Sequence, residues 1–343
     1  MLEYINIKGT TLQSSRIALG TWAIGGWMWG GSDEKDSIRT IHAALDQGIN
    51  LIDTAPIYGQ GRSEEIVGKA LLQNGGREDV ILATKVGIDW STGRIERNSS
   101  RRRILQELED SLRRLQTDYI DLYQVHWPDP LVPIEETAST LRELYEQGKI
   151  RAIGVSNHSP EELARFESAA PLHTIQPPYN LFEREIERDV LPYAHGRGIT
   201  ALTYGALCRG LLSGAMNASR LFAKDDMRKT TDPKFRQPHF AEYLDAVSRL
   251  DEFARENYGK RVIHLAVRWL LDQPGVGIAL WGARHPEQLV PINEVSGWSL
   301  TKSDFTAIDA ILRDSIHNPV GPEFMAPPAR EMAKPVTIGV GQS

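Results

Sequence analysis

One pattern constrains the fold of this sequence more than any other: a short apolar run followed by a segment of helical periodicity, repeated eight times. The apolar runs are Ile17–Leu19, Asn50–Ile52, Val80–Thr84, Tyr119–Val125, Ala152–Val155, Thr174–Gln176, Thr200–Thr203 and Gly277–Leu280. Short apolar runs that alternate with helices are typical of parallel strands, and eight such strands close into a barrel. We therefore predict an α/β fold, a (β/α)8 barrel of the TIM type.

The segments between these runs carry the signals of helices. Within 37–45, the apolar residues Ile38, Ile41 and Leu45 recur with a period near 3.6 and fall on one face, and Gly48 supplies a stop signal. Further helices are predicted after Asp33, Ser63, Ser99, Pro133, Ser159, Glu183 and Lys260, several of which are residue types that favour helix starts.

One connection is much longer than the others. It runs from about Cys208 to Tyr258 and shows little periodicity before a helical pattern at Phe240–Phe253. Long excursions after a barrel strand usually carry function, so we interpret this one as a loop that covers a ligand. A mobile linker is the alternative interpretation.

Length and composition fit one globular domain. Barrels of this type need about 250 residues and tolerate insertions. The chain has 343 residues, of which 41% are hydrophobic and 24% are charged. We predict a single domain over residues 1–343. The end of the chain, about residues 321–343, contains several prolines, and we expect a tail that wraps over the surface or is partly disordered.

Charge and cysteine content exclude several classes of protein. A net charge of −6 argues against a general nucleic-acid binder. The N-terminus has no signal-peptide pattern, and no apolar run approaches the roughly 18 residues of a membrane span, so we expect a cytoplasmic protein without a membrane anchor. The single cysteine, Cys208, allows neither an internal disulfide nor a multi-cysteine zinc site, and we predict no metal. We further expect a monomer.

Four polar residues follow three of the apolar runs, at the strand ends where the catalytic residues of a barrel gather. Asp53, Lys85 and His126 come directly after the second, third and fourth runs, and Tyr58 lies in the loop after the second. A tyrosine hydroxyl titrates near ~10, and acting as an acid near neutrality calls for a shift of about three pKa units. An ammonium group about 4 Å away in a partly desolvated site interacts strongly enough to supply that shift.

These properties predict a proton-donating site for the reduction of a carbonyl group. Tyr58 is the predicted acid, and Lys85 is expected to lower the pKa of its hydroxyl. Asp53 would keep Lys85 charged and oriented, and His126 would donate to the same carbonyl oxygen. Taken singly, Asp53 and His126 could be strand-end caps, and Tyr58 an ordinary loop aromatic. A lysine after a buried strand demands a carboxylate partner, and the four residues together favour catalysis.

Longer motifs around these residues resemble the aldo-keto reductase family over nearly the whole chain. They are Leu51–Gly59 with Ser63–Gly68, Ala83–Lys85, Asp121–Trp127 and Gly148–Asn157. The resemblance implies a barrel that binds NADP(H) in extended form and reduces aldehydes or ketones. It also implies a catalytic tetrad of Asp53, Tyr58, Lys85 and His126. The segments Gly20–Trp27 and Gln124–Pro130 look most like a bacterial branch that acts on small aldehydes and polyols, so we expect small aldehydes or hydroxyaldehydes as substrates.

The resemblance also implies which residues hold the cofactor. Asn157 and Gln176 would bond the nicotinamide carboxamide, and Tyr204 would stack on the ring. A loop containing Arg209 would cradle the pyrophosphate, and Arg284 with Gln288 would receive the ribose 2′-phosphate. The full set is Thr21, Trp22, Asp53, Ser156, Asn157, Gln176, Tyr204, Gly205, Ala206, Leu207, Arg209, Gly210, Leu211, Leu212, Gly282, Arg284, Gln288 and Ile292. Each side chain has a structural alternative, since the amides could bond backbone, the tyrosine could pack in the core and the arginine could be solvated.

The chain departs from the family pattern mainly at the adenine end of the cofactor cleft. Pro291 and Ile292 stand where many relatives have an acidic residue and an asparagine. Gly205 replaces a common serine, and Cys208 replaces a usual glycine. The resemblance therefore does not imply which residues of this chain contact the adenine.

Substrate contacts are expected mainly from aromatic side chains, since indole rings are suited to the walls of a pocket. The predicted residues are Trp22, Trp27, Tyr58, His126 and Trp127, with Trp29 and the long seventh loop as further candidates. Two other classes of function stay open. A Schiff-base aldolase would use Lys85 as its nucleophile, and a cofactor-sensing binding module would act as the potassium-channel β-subunits that resemble this family.

Overall fold

Eight parallel strands close into a barrel, which confirms the predicted fold class. The computed structural model describes residues 2–330. The barrel strands are β1 Ile17–Gly20, β2 Leu51–Asp53, β3 Ile81–Val86, β4 Leu122–Val125, β5 Ile153–Ser156, β6 Thr174–Gln176, β7 Thr200–Thr203 and β8 Val276–Gly282. Each strand pairs with its neighbours in chain order, and β8 returns to β1. Asp53 pairs with Ala83 and Lys85 pairs with Gln124, so the carboxyl ends of β2, β3 and β4 lie side by side.

The described residues form ten α-helices, most of them on the outside of the barrel. They are α1 Glu34–Asp46, α2 Arg62–Asn74, α3 Arg101–Leu115, α4 Ile134–Glu146, α5 Pro160–Glu167, α6 Val190–Arg197, α7 Met227–Thr230, α8 His239–Tyr258, α9 Val262–Leu271 and α10 Lys302–Ser315. As predicted, Asp33 and Ser159 cap α1 and α5 by accepting backbone N–H groups, and Pro133 precedes α4.

Several element boundaries differ from the sequence prediction. The helix expected after Ser63 already begins at Arg62, and the one expected after Glu183 is delayed to Val190 by a 3₁₀ turn at Glu185–Glu187. Strand β4 begins at Leu122 rather than Tyr119, and β3 continues to Val86. Asp53 and Lys85 are therefore the last or nearly the last residues of their strands, rather than the first residues of loops.

Two hairpins were not visible in the sequence, because their strands of two or three mostly polar residues form no apolar run. The first pairs Tyr4–Asn6 with Gln13–Ser15, ahead of β1. Its loop residues Ile7 and Leu12 pack against residues at the starts of barrel strands. The second pairs Ile88–Asp89 with Glu96–Arg97, between β3 and α3, and is called the β3 hairpin below.

The long connection after β7 is folded against the barrel, which favours a covering loop over a mobile linker. It contains a 3₁₀ segment at Cys208–Ser213, then α7, and the predicted helix is present as the longer α8. The backbone N–H of Met227 donates to Met28 O at 2.9 Å, so α7 docks on the loop after β1. This contact places both loops over the carboxyl end of the barrel.

The end of the chain is described as far as Arg330. After α10, the segment 321–330 runs back over the barrel, with a 3₁₀ turn at Glu323–Met325. This part of the predicted tail does wrap over the surface, and residues 331–343 lie outside the described part of the chain. Within residues 2–330, no helix is long and apolar enough to cross a bilayer.

Candidate active site

The structure brings the four predicted polar residues together at the carboxyl end of the barrel. Lys85 Nζ is the centre of the cluster and donates to Asp53 Oδ2 at 2.6 Å, to Thr54 O at 3.1 Å and to Tyr58 Oη at 3.2 Å. Both members of the Lys85–Asp53 ion pair are buried. A buried ammonium without such partners would be strongly unfavourable, so the position of Lys85 on β3 depends on Asp53 on β2.

His126 completes the cluster from the end of β4. Its backbone N–H donates to Val86 O at 2.9 Å, which fixes its position relative to β3. The imidazole meets the Tyr58 ring edge to face, with 5.8 Å between the ring centroids. Burial, and then the positive charge of Lys85, lower the pKa of His126 well below its usual value. His126 is therefore a neutral imidazole that can donate one hydrogen bond.

The pKa of Tyr58 shifts in the direction opposite to the sequence prediction. Burial, and then the carboxylate of Asp53, raise the pKa of the Tyr58 hydroxyl well above its usual value. The expected lowering by Lys85 fails because the ammonium is already paired with Asp53 at 2.6 Å, so little of its charge remains to favour a phenolate. Burial also lowers the pKa of Lys85, with Asp53 acting in the opposite direction. Tyr58 is thus a protonated hydroxyl throughout the ordinary pH range.

Two amide side chains hold the second oxygen of Asp53. Gln176 Nε2 donates to Asp53 Oδ1 at 2.8 Å, and Gln124 Nε2 donates to the same atom at 3.2 Å. Gln176 was predicted as a cofactor residue, whereas Gln124 was missed. A glutamine inside the buried run of β4 was the signal for it, because a buried amide needs a polar partner across the barrel.

A cavity of about 410 Å³ opens on one side of Tyr58 and matches most of the predicted cofactor set. It is lined by the predicted residues Thr21, Trp22, Asp53, Tyr204, Gly205, Ala206, Leu207, Arg209, Gly210, Gly282, Arg284 and Gln288. Leu211, Leu212 and Ile292 do not line it and are fully buried in the hydrophobic core, so their side chains are packing residues. Trp29, a candidate for substrate contact, lines this cavity instead of the second one.

Two arginines that line this cavity have different partners. Arg209, expected to cradle a pyrophosphate, forms buried ion pairs with Glu183 and with Asp232, the latter at 2.6 Å. Its positive charge is already compensated. Arg284 instead donates to the carbonyls of Trp29 and Gly31, at 2.8 and 3.2 Å, and forms no ion pair with a carboxylate among the described residues.

A second cavity, of about 310 Å³, opens on the other side of Tyr58. All five predicted substrate residues line it: Trp22, Trp27, Tyr58, His126 and Trp127. Ser156, Asn157 and Gln176, predicted to contact the cofactor, lie here, and Asn157 Oδ1 accepts a hydrogen bond from Tyr204 at 2.9 Å. Both cavities are lined by Trp22, Tyr58, Tyr204 and Met325, so the two spaces meet beside Tyr58.

The end of the chain also contributes to the second cavity. Phe324, Met325, Ala326, Pro327 and Pro328 line it together. The sequence indicated a wrapping tail but gave no sign of where it would lie, because these residues are far in sequence from every other wall of the cavity. Across residues 2–330, no group of three or more His, Cys, Asp or Glu side chains is arranged to hold a metal ion.

Comparison with known proteins agrees with this geometry. Residues 16–313 match the model of the Aldo/keto reductase family. The chain is 63% identical over 330 residues to the aldo-keto reductase YhdN of Bacillus subtilis, and this match covers 96% of this chain and 99% of that protein. It is 35% identical to the NADH-specific methylglyoxal reductase of Escherichia coli, over 84% of this chain and 91% of that protein.

A solved structure gives the same result at the level of the fold. The glycerol dehydrogenase AKR11B4 from Gluconobacter oxydans superposes with a TM-score of 0.84 at 54% sequence identity, over 94% of this chain and 99% of that one. The family match, the identity to these relatives and the shared barrel lead to one assignment. The chain belongs to the aldo/keto reductase family, whose members are oxidoreductases that use a nicotinamide cofactor.

Proposed function

We propose that this protein is an NADP(H)-dependent reductase of small aldehydes and hydroxyaldehydes, with Tyr58 as the proton donor. One observation carries the proposal: the Tyr58 side chain lies where the two cavities meet, with Lys85 Nζ 3.2 Å behind its hydroxyl. A carbonyl group in the second cavity would therefore lie next to both the acid and the first cavity. The related glycerol dehydrogenase of Gluconobacter oxydans is named for a small hydroxylated compound, which supports this substrate class.

Each residue around Tyr58 would have its own role in the reaction. Tyr58 gives its proton to the carbonyl oxygen. The ammonium group of Lys85 lies next to the tyrosine oxygen and stabilises the negative charge that forms on it. His126, neutral and at the edge of the same space, donates a hydrogen bond that orients the carbonyl. Asp53 keeps Lys85 in place, and Gln124 and Gln176 keep Asp53 in place. The nicotinamide cofactor, when bound, supplies the hydride to the carbonyl carbon.

The first cavity fits a nicotinamide dinucleotide in its chemistry. Trp22 and Tyr204 offer aromatic surfaces next to Tyr58, where a flat ring would need to lie. Trp29 lines the cavity as well and adds a further aromatic side chain to its wall.

The preference for NADP(H) over NAD(H) rests on Arg284. Burial, and then the charge of Arg228, lower the pKa of Arg284, and the charge of Arg220 acts in the same direction. All three arginines line the first cavity, and Asp226 is the carboxylate that pairs with Arg228 at 2.6 Å. An anionic group would relieve this excess of positive charge, and a ribose 2′-phosphate is such a group.

Replacing Arg284 tests this preference. In Arg284→Met, we expect the KM for NADPH to rise about tenfold or more, since one charge-assisted phosphate contact is lost, while the KM for NADH changes less than about twofold. The control is Arg113→Met, because the Arg113 side chain is 71% exposed on the remote helix α3. An unchanged KM for NADPH would refute the role of Arg284.

The aldolase alternative is not favoured by the surroundings of Lys85. A Schiff base needs an amine that is free to attack a carbonyl carbon. Lys85 Nζ is instead buried and bonded to Asp53, Thr54 and Tyr58. Borohydride treatment in the presence of an aldehyde should therefore trap no adduct on Lys85.

A further inference from the structure

Arg97 connects three parts of the chain beside the second cavity without lining the cavity itself. It is the last residue of the β3 hairpin, where it pairs with Ile88. Its Nε donates to Pro327 O at 2.9 Å and its backbone N–H donates to Pro328 O at 3.2 Å. Its Nη1 donates to Pro128 O, in the loop after β4, at 3.2 Å.

The residues that Arg97 holds are walls of the second cavity. Pro327 and Pro328 line it from the end of the chain, Ile88 lines it from the hairpin, and Trp127 lines it from the loop after β4. The guanidinium of Arg97 lies over the indole of Trp127, 5.3 Å from the ring centroid. One side chain therefore joins two walls of the cavity that come from distant parts of the chain.

The segment Pro327–Pro328 needs hydrogen-bond donors from other parts of the chain. Pro327 and Pro328 have no N–H groups, so this part of the chain can accept hydrogen bonds but cannot donate any from these residues. Its attachment depends on donors from elsewhere, and Arg97 provides two of them. The other anchor nearby is Arg330, whose Nη2 pairs with the buried carboxylate of Asp129 at 2.7 Å.

We propose that Arg97 is a positioning residue that determines substrate selectivity by fixing the Pro327–Pro328 wall against Trp127. A substrate large enough to reach this wall gains binding energy only when the wall is already held in place. A short substrate that reaches only Tyr58 and His126 does not touch the wall. The inference rests on the proposed function, because it takes the second cavity as the substrate site.

The experiment compares two aldehydes of different length in the full-length protein with NADPH. In Arg97→Met, which keeps the aliphatic stem and the backbone N–H but removes the side-chain donors to Pro327 and Pro128, we expect kcat/KM for 3-phenylpropanal to fall about tenfold through a higher KM. For propanal we expect a change of less than about twofold, and the Kd for NADPH should stay the same. Arg97→Lys keeps a cation near Trp127 but loses the forked donors, so its effect should be smaller.

Two further variants complete the design. Arg94→Met is the matched control, because Arg94 is an exposed residue of the same hairpin whose side chain makes no hydrogen bond within the described part of the chain. Arg330→Met releases the other anchor and should shift the ratio of the two kcat/KM values in the same direction. If Arg97→Met does not fold, Arg97→Lys tests the same residue through the same ratio, and an unchanged ratio in Arg97→Lys would then overturn the proposal.

The outcomes separate this inference from the proposed function. An unchanged ratio of the two kcat/KM values in Arg97→Met, or an equal fall for both aldehydes, would overturn the role of Arg97 while leaving the reductase assignment intact. Wild-type protein that reduces neither aldehyde with NADPH would overturn the proposed function and this inference with it.

Discussion

At the scale of single residues, the site consists of two neutral donors above a neutralised ion pair. Tyr58 and His126 face the cavities, and the Lys85–Asp53 pair lies beneath them. Burial has opposite effects on the two donors, since it raises the pKa of the tyrosine and lowers that of the histidine. Both effects favour the uncharged form. The site therefore holds its donors in one protonation state over a wide range of pH.

This arrangement predicts a flat pH profile for aldehyde reduction. A tyrosine with a raised pKa loses its proton only above pH 10, and a histidine with a lowered pKa gains one only below pH 6.5. Neither group changes its charge between pH 7 and pH 9, so kcat/KM with NADPH should vary less than about twofold over that range. The measurement is steady-state kinetics in overlapping buffers. A titration limb centred near pH 7 would show instead that Tyr58 has the lowered pKa first expected from the sequence.

Residue types and spacing were sufficient to predict the four polar residues, but not their electrostatics. Asp53, Lys85 and His126 follow apolar runs, and strands of a parallel barrel bring such positions together. The pKa of Tyr58 depends on how closely Asp53 approaches Lys85 and on how far the site is shielded from solvent, neither of which is encoded locally. For the same reason the ion pairs of Arg209 could not be predicted, since its partners Glu183 and Asp232 are distant in sequence.

At the scale of elements, close helix packing limits the substitutions that the barrel tolerates. Gly68 lies on α2 where that helix meets the end of α3. A Cβ at this position would lie 2.5 Å from Arg114 O and 2.8 Å from Leu115 C, both of which are backbone atoms. Neither atom can move without displacing α3. Gly196, on α6, differs, because a Cβ there would meet no atom within 4 Å.

These two glycines predict opposite effects of the same substitution. Gly68→Ala should lower the free energy of unfolding by about 1–3 kcal/mol, since it overpacks a helix contact. Gly196→Ala should raise it by roughly 0.5–1 kcal/mol, because alanine is the better residue in an open helix position. Urea unfolding followed by circular dichroism measures both. Equal effects of the two substitutions would contradict the packing described for α2 and α3.

The strength of the sequence signal also varied between elements. The barrel strands were found because their apolar runs alternate with segments of helical periodicity. The strands of the two hairpins are short and mostly polar, so they form no apolar run. Helix starts were predicted where a capping side chain precedes the helix, as at Asp33 and Ser159. They were misplaced where the first turn is 3₁₀, as before α6.

At the scale of the whole molecule, long-range contacts join the walls of the two cavities. A buried cluster of charges ties the long connection after β7 to the loop after β6, since Glu183 pairs with Arg209 and with Lys234 at 2.8 Å. Lys234 also donates to Gly321 O at 3.2 Å, at the start of the final segment. The walls of the first and the second cavity are therefore built on shared contacts. Such contacts could not be predicted from the sequence, because they join loops without regular patterns.

The central claim is that Tyr58 donates the proton to a carbonyl group whose carbon receives hydride from the cofactor. Replacing Tyr58 by phenylalanine removes one hydroxyl group and keeps the ring that lines both cavities. The control is Tyr193→Phe, since that hydroxyl bonds Glu167 on a helix outside the site. The measurement is kcat for a small aldehyde with saturating NADPH, together with the Kd for NADPH. We predict that kcat falls roughly 10²–10⁴-fold in Tyr58→Phe with an unchanged Kd; a kcat close to the wild-type value would contradict the account.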